Sequence, residues 1–134
     1  MAILEAPPIR IPDHWLERLN SLRELEAGWN SYSAPAPSAV AIEQTELFLG
    51  LAYSRHIPPV RMEPSAMGGV GVTFIRGDRE VVVEFYNSGT AHALLSDDST
   101  DAMETRPVST DASGYTTFLD EVRAYLHGTA ERAA

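Results

Sequence analysis

The chain has 134 residues, 44% hydrophobic and 22% charged, with 19 acidic side chains against 10 basic ones and a formal net charge of −9. Such a length fits one domain, 1–134, able to bury a core of its own; the ordered part is expected over about residues 12–128, with loosely held ends at Met1–Ile9 and Thr129–Ala134. Cysteine is absent, which excludes disulfides, thiolate metal sites and cysteine nucleophiles, and all ten basic residues are arginine, which excludes P-loop and Schiff-base lysine chemistry.

Three segments carry helical periodicity. The first opens at Pro12-Asp13 with Asp13 read as the N-cap, places Trp15, Leu16, Leu19, Leu22 and Leu25 on one face, and is expected to stop at Gly28. The second starts at Ser38, after Pro35 and Pro37, and runs to about Ser54, where Pro58-Pro59 forbids continuation. Its apolar stripe is read as Val40, Leu47, Phe48 and Leu51, with Ala41 and Ile42 beside it.

Next the period changes from 3.6 to 2. Val60 to Glu63 reads as a short strand before the Gly68-Gly69 turn, and Val70, Val72 and Phe74 alternate with small or polar residues. Arg76–Arg79 turns the chain into Val81, Val83 and Phe85; Asn87-Ser88-Gly89 turns it again into Thr90–Leu95. Met103 to Val108 reads as an edge strand, where Pro107 is tolerated because an edge amide need not pair. The third helix is expected over roughly Ser113 to His127, with Tyr115, Phe118, Leu119, Val122, Tyr125 and Leu126 on its buried face and Gly128 as its stop. The expectation is an α+β fold: two N-terminal helices, a four- or five-stranded antiparallel meander and one C-terminal helix, with the helices on one face of the sheet.

The run Leu25-Glu26-Ala27-Gly28-Trp29-Asn30-Ser31-Tyr32-Ser33-Ala34-Pro35, followed by a Ser-capped helix, resembles a family of small uncharacterised bacterial and phage proteins. In that family a short helix ends in a Gly-Trp-Asp/Asn-Ser/Gly-Tyr motif before proline and a second helix, and a Pro-rich link leads to a Gly-Gly turn and an alternating hairpin. The matching features here are Pro58-Pro59, Gly68-Gly69 and Val70 to Phe85, so the likeness spans roughly residues 15 to 127. It implies the same order of elements and no particular chemistry. Asn30 stands where the family usually has aspartate.

The loop carrying Trp29, Asn30 and Tyr32 is the candidate binding feature, since loops on rigid scaffolds commonly carry recognition residues and Trp and Tyr give large contact area. A scaffold reading competes with it, in which Trp29 plugs the helix pair and Asn30 or Ser31 caps nearby amides. A weaker metal alternative joins His92 to Asp97, Asp98 and Asp101. It lacks helical His spacing, and the acidic run has Ala102 and Ser109 where a calcium loop needs Gly and Glu. Otherwise no cofactor is implied. No Gly-x-Ser-x-Gly elbow is present, and Gly68-Gly69-Val70-Gly71 has neither the spacing nor the following helix of a phosphate-binding loop.

At net charge −9, with arginines spread along the chain, direct nucleic-acid binding is not expected. The absence of a basic-then-apolar leader and of a long apolar run points to a cytoplasmic protein with no membrane contact. The leading expectation is a non-catalytic acidic binding module, an accessory or antitoxin-like regulatory subunit acting on a protein partner, such as the product of a neighbouring gene. Two others stand beside it: an inhibitor mimicking nucleic acid, which requires carboxylates clustered on one face, and a metal-dependent hydrolase or small-molecule-binding domain.

Overall fold

The computed structural model describes residues 10–133, with the side chains of residues 10–127. In chain order the elements are α1 (Asp13–Arg23), α2 (Ala39–Ser54), β1 (Arg61–Pro64), β2 (Gly69–Arg76), β3 (Arg79–Tyr86), β4 (Ala91–Asp97), β5 (Ala102–Val108) and α3 (Ala112–Ala133). The five strands pair antiparallel in chain order, β1-β2-β3-β4-β5, so each connection is a hairpin and no strand crosses another. The α+β architecture expected from the periodicity is the one observed, with five strands.

Tight turns set the register. Gly77 (φ 59) takes the first central position of the two-residue β2–β3 hairpin, where a positive φ matches the twist of the strands. At the next hairpin Gly89 (φ 92) follows a turn closed by its amide on the Tyr86 carbonyl. Gly69 is the most demanding position, because a Cβ there would stand 2.0 Å from the Phe85 carbonyl oxygen.

Alternation along the strands separates two faces. Met62, Val70, Val72, Phe74, Val81, Val83, Phe85, Ala91, Ala93, Leu95 and Val108 are buried beneath the helices. Onto them pack Leu19 and Leu22 of α1, Ile42, Phe48, Leu49 and Ala52 of α2, and Tyr115, Phe118, Leu119 and Val122 of α3. Phe48 is the hub: its ring centroid lies 5.1 Å from Phe85, 5.4 Å from Tyr115 and 6.0 Å from Phe74, the last two edge-to-face, a favoured aromatic arrangement.

Four local expectations are corrected. Pro12, not Asp13, is the N-cap of α1; its carbonyl accepts from Trp15 and Leu16, so Asp13 falls in the first turn, where its charge meets the positive helix end. That helix ends at Arg23 rather than near Gly28. Its last turn tightens through Glu24 N–H to Ser21 and Leu25 N–H to Leu22, carrying Leu25 onto the core, and Gly28 (φ 82) serves the loop beyond. The buried stripe of α2 is Ala41, Ile42, Thr45, Phe48, Leu49 and Ala52, whereas Val40 and Leu47 are 46% and 42% exposed. Finally, α3 continues through Gly128 to Ala133, since Ala130, Glu131, Arg132 and Ala133 after the glycine favour helix. Ser38 caps α2 as expected, its hydroxyl accepting from Ala41 N–H at 3.1 Å. Met1–Ile9 lie outside the described residues.

A proline interrupts each outer strand as a pairing edge. The Ser65 amide on the Gly69 carbonyl sets the phase of β1, turning Met62 and Pro64 outward; Pro64 has no N–H, and the Met62 carbonyl is taken by Arg18 Nε at 3.0 Å. The Tyr86–Thr90 bond sets the phase at the other side, turning Met103, Thr105 and Pro107 outward on β5, where Pro107 again offers no donor. The sheet face opposite the helices is left uncovered by any described element.

Candidate functional site

The loop between α1 and α2 is fastened to itself. Gly28 N–H donates to Ala34 O at 2.9 Å, and Ser31 N–H to Gly28 O at 3.0 Å. Asn30 Oδ1 accepts from Tyr32 N–H at 3.0 Å and Ala34 N–H at 3.4 Å, and the Trp29 indole N–H donates to Pro35 O at 3.0 Å. Ser31 sits at φ 65, a left-handed conformation that a non-glycine residue adopts only when its surroundings hold it.

Trp29 is half-buried and stands outside the core cluster, so it does not plug the helix pair. Trp15 does that, packing on the core and donating its indole N–H to Tyr53 OH at 2.6 Å. Asn30 performs the capping role the scaffold reading assigned to it, using one oxygen as an acceptor, a task an aspartate would do as well. Tyr32 alone among the three residues projects outward, 83% exposed.

A residue read in the sequence only as part of a turn ties this loop to the sheet. The Asn87 side chain donates to Ala36 O at 2.9 Å and accepts from Ser38 N–H at 2.7 Å, while its backbone N–H donates to Gly68 O at 3.1 Å. A Cβ on Gly68 would lie 2.9 Å from Asn87 Nδ2 and 3.4 Å from Pro35, so the proline lies directly against the β1–β2 turn. Next to Gly68, Met67 is 77% exposed, and Val40 of α2 packs near Gly89. One end of the molecule therefore presents apolar side chains from three chain segments on a hydrogen-bonded base.

The uncovered sheet face adjoins that end. In register it carries Glu63, Gly71, Glu84, His92 and Pro107 in one row and Arg61, Thr73, Val82, Leu94 and Thr105 in the next. A depression of about 260 Å³ is lined by Val82, Glu84, Tyr86, His92, Leu94 and Thr105. Tyr86 O–H donates to Glu84 Oε2 at 2.6 Å, and Ser65 O–H to Glu84 Oε1 at 3.5 Å. The bond to Glu84, with burial and the carboxylate's charge, pushes the Tyr86 phenol up to about 12, so it stays a donor.

His92, Asp97, Asp98 and Asp101 are not brought together. His92 faces out from the bare side, opposite Glu84, whereas Asp97, an odd number of residues away, points to the helix side. There Asp97 accepts from Ser99 Oγ at 2.6 Å, Ser99 N–H at 3.0 Å and Arg79 Nε at 3.0 Å. The Ser99 hydroxyl chiefly, then the Ser99 amide and the Arg79 guanidinium, hold its carboxyl below the usual aspartate value against the opposing effect of burial. Asp98 and Asp101 are exposed in the turn beyond. Among the described residues no group of three His, Asp or Glu side chains is placed to hold a metal ion.

A second depression, of about 320 Å³, lies between β5 and α3, lined by Arg79, Arg106, Glu104, Glu121 and Tyr125. Its charges are matched internally. Arg106 pairs with Glu104 and Glu121, and Arg79, bonded to Asp97, lies 4.9 Å over the Tyr125 ring. Carboxylates occur on every helix, on β1, β3 and β5, and in the β4–β5 turn rather than on one face. No described helix is long and apolar enough to cross a membrane. Neither a protein-family model, nor a curated protein, nor a solved structure matches this chain.

Proposed function

We propose that the chain is a non-catalytic protein-binding module, an accessory or antitoxin-like regulatory subunit working in the cytoplasm on the product of a neighbouring gene. The observation that carries this reading is Tyr32, 83% exposed at the tip of a loop whose own hydrogen bonds hold it rigid. An aromatic side chain fixed in place loses little conformational entropy on docking, which is why tyrosines anchor interfaces. Met67, at 77% exposure on the turn Pro35 touches, adds an adaptable apolar contact, and the exposed Glu24 and Glu26 on the approach to the loop favour a partner with a basic rim.

A photo-crosslinking residue at position 32 tests this in cells. The expected result is one dominant adduct, of the mass of a neighbouring gene's product, that is lost in a Met67→Asp background and absent when the probe sits at exposed Thr117 of α3. Adducts of equal yield and pattern from positions 32 and 117, or none from position 32, would count against it.

A further inference from the structure

We propose that the depression beside Glu84 receives a lysine or arginine side chain of the partner polypeptide, its aliphatic stem lying across Val82 and Leu94 and its cationic head on the Glu84 carboxylate. This rests on the reading of the chain as a protein-binding module, and it adds the chemistry the partner must bring.

Three carboxylates share the bare face of the sheet, and two of them flank one cation. Glu80 lies 3.3 Å and Glu63 3.7 Å from the guanidinium of Arg61. Glu84 has no cation within 4 Å among the described residues, although it is half-buried. Each of its oxygens holds one hydroxyl donor, from Tyr86 and from Ser65, and a carboxylate has room for about four. Two acceptor positions are thus left over, in a place where partial burial makes an added charged donor worth more than it would be in water.

The surroundings fit a long cationic side chain. Gly71 is directly opposite Glu84 on β2 and contributes no side chain, so that flank is open; on the other flank His92 is its partner on β4. Val82 and Leu94, opposite each other in the adjoining row and both half-buried, give an apolar floor. Lysine and arginine lay their methylenes on such a surface and keep the charged head at its polar end. At about 260 Å³ the depression is below the roughly 300–1,000 Å³ of clefts for drug-sized ligands. It suits one side chain.

Position relative to the loop end supports the same occupant. Ser65 Oγ donates to Glu84 and accepts from Met67 N–H at 3.1 Å, so one hydroxyl links the acidic depression to the turn that carries exposed Met67. A partner seated on Tyr32 and Met67 would pass its rim over Glu84. With a net charge of −9 on this chain, that rim is attracted if it is basic.

The test uses small probes and the full-length chain, followed by amide chemical shifts. Titration with N-acetyl-lysine methylamide and N-acetyl-arginine methylamide is expected to give saturable shifts confined to Val82, Glu84, His92 and Leu94. The uncharged N-acetyl-norleucine methylamide should give none. Glu84→Gln, which keeps an acceptor for Tyr86, should weaken binding at least tenfold, and His92→Arg, which sets a permanent cation beside Glu84, should do the same. Tyr32→Ala should leave the titration unchanged, so failure here is separable from failure of the loop as an anchor. Non-saturating shifts spread over exposed carboxylates such as Glu17, Glu43 and Asp120, equal response to norleucine, or full binding by Glu84→Gln would each overturn the proposal.

Discussion

The two faces of one sheet follow different rules. Beneath the helices every strand residue from β2 to β4 that points inward is apolar save the end residues Arg76, Arg79 and Asp97, and Phe48 joins strands and helices through aromatic contacts. On the bare side the same strands and β1 carry Thr73, Val82 and Leu94 among Arg61, Glu63, Glu80, Glu84 and His92, and charge pairing replaces packing. Strand pairing is common to both faces, so the difference lies in what the side chains meet. Covered residues hold the fold together, and bare ones are free to be chosen for recognition.

The widest separation is expected from matched truncations. Phe48→Ala should cost roughly 3–5 kcal/mol, the range for removing a fully buried aromatic side chain. Val82→Ala, from the middle of the bare face, should cost about 1 kcal/mol, since its side chain keeps part of its surface in water and is shorter than a phenyl ring. Urea unfolding of both variants measures the gap. If the two costs are alike, the bare face is covered in solution, by a second copy or by residues outside those described.

A smaller effect sharpens the contrast between anchoring and presenting groups at the loop end. Asn87→Ala removes two side-chain hydrogen bonds that join the loop to the sheet and should cost about 1–3 kcal/mol. Asn30→Ala should cost about 1 kcal/mol, and Asn30→Asp should be near neutral because only acceptors are needed at Oδ1. Tyr32→Ala should leave the melting temperature unchanged.

The subtlest test lies at low pH. The Asp97 carboxyl is held below its unfolded value, so its contribution is fully present above about pH 4–5 and disappears as the pH falls through the lower, folded value. Ser99→Ala removes the principal cause. The variant should be less stable than the parent near neutral pH, with the difference shrinking as the pH drops below 4. A difference independent of pH would mean that Ser99 acts on the turn and not on the carboxylate.

The strands were legible in the sequence because a period of 2 admits only two assignments of residues to faces, and Val70, Val72, Phe74, Val81, Val83 and Phe85 share one. The alternation leaves Val82, Glu84 and Tyr86 to the other side, yet nothing local distinguishes Glu84 from Glu80. Only the position of Arg61, on another strand, shows which carboxylate is matched. The loop was legible as a distinct motif, while the division of labour within it was not. Trp29 and Tyr32 look alike as recognition residues, and they differ because the Pro35 carbonyl meets one indole and no described residue bonds the phenol.

α2 marks the boundary between the two kinds of information. Its composition and Ser38 cap fixed its existence and its start. Apolar residues surround most of its circumference, however, so the buried side depended on where α1, α3 and the sheet arrive, and the stripe rotated away from Val40 and Leu47. Asn87 shows the same limit, for its partners Ala36 and Ser38 lie 51 and 49 residues away along the chain. Backbone periodicity acts between near neighbours and can be read along the sequence. A side chain's burial and its distant hydrogen bonds exist only once the chain has closed on itself.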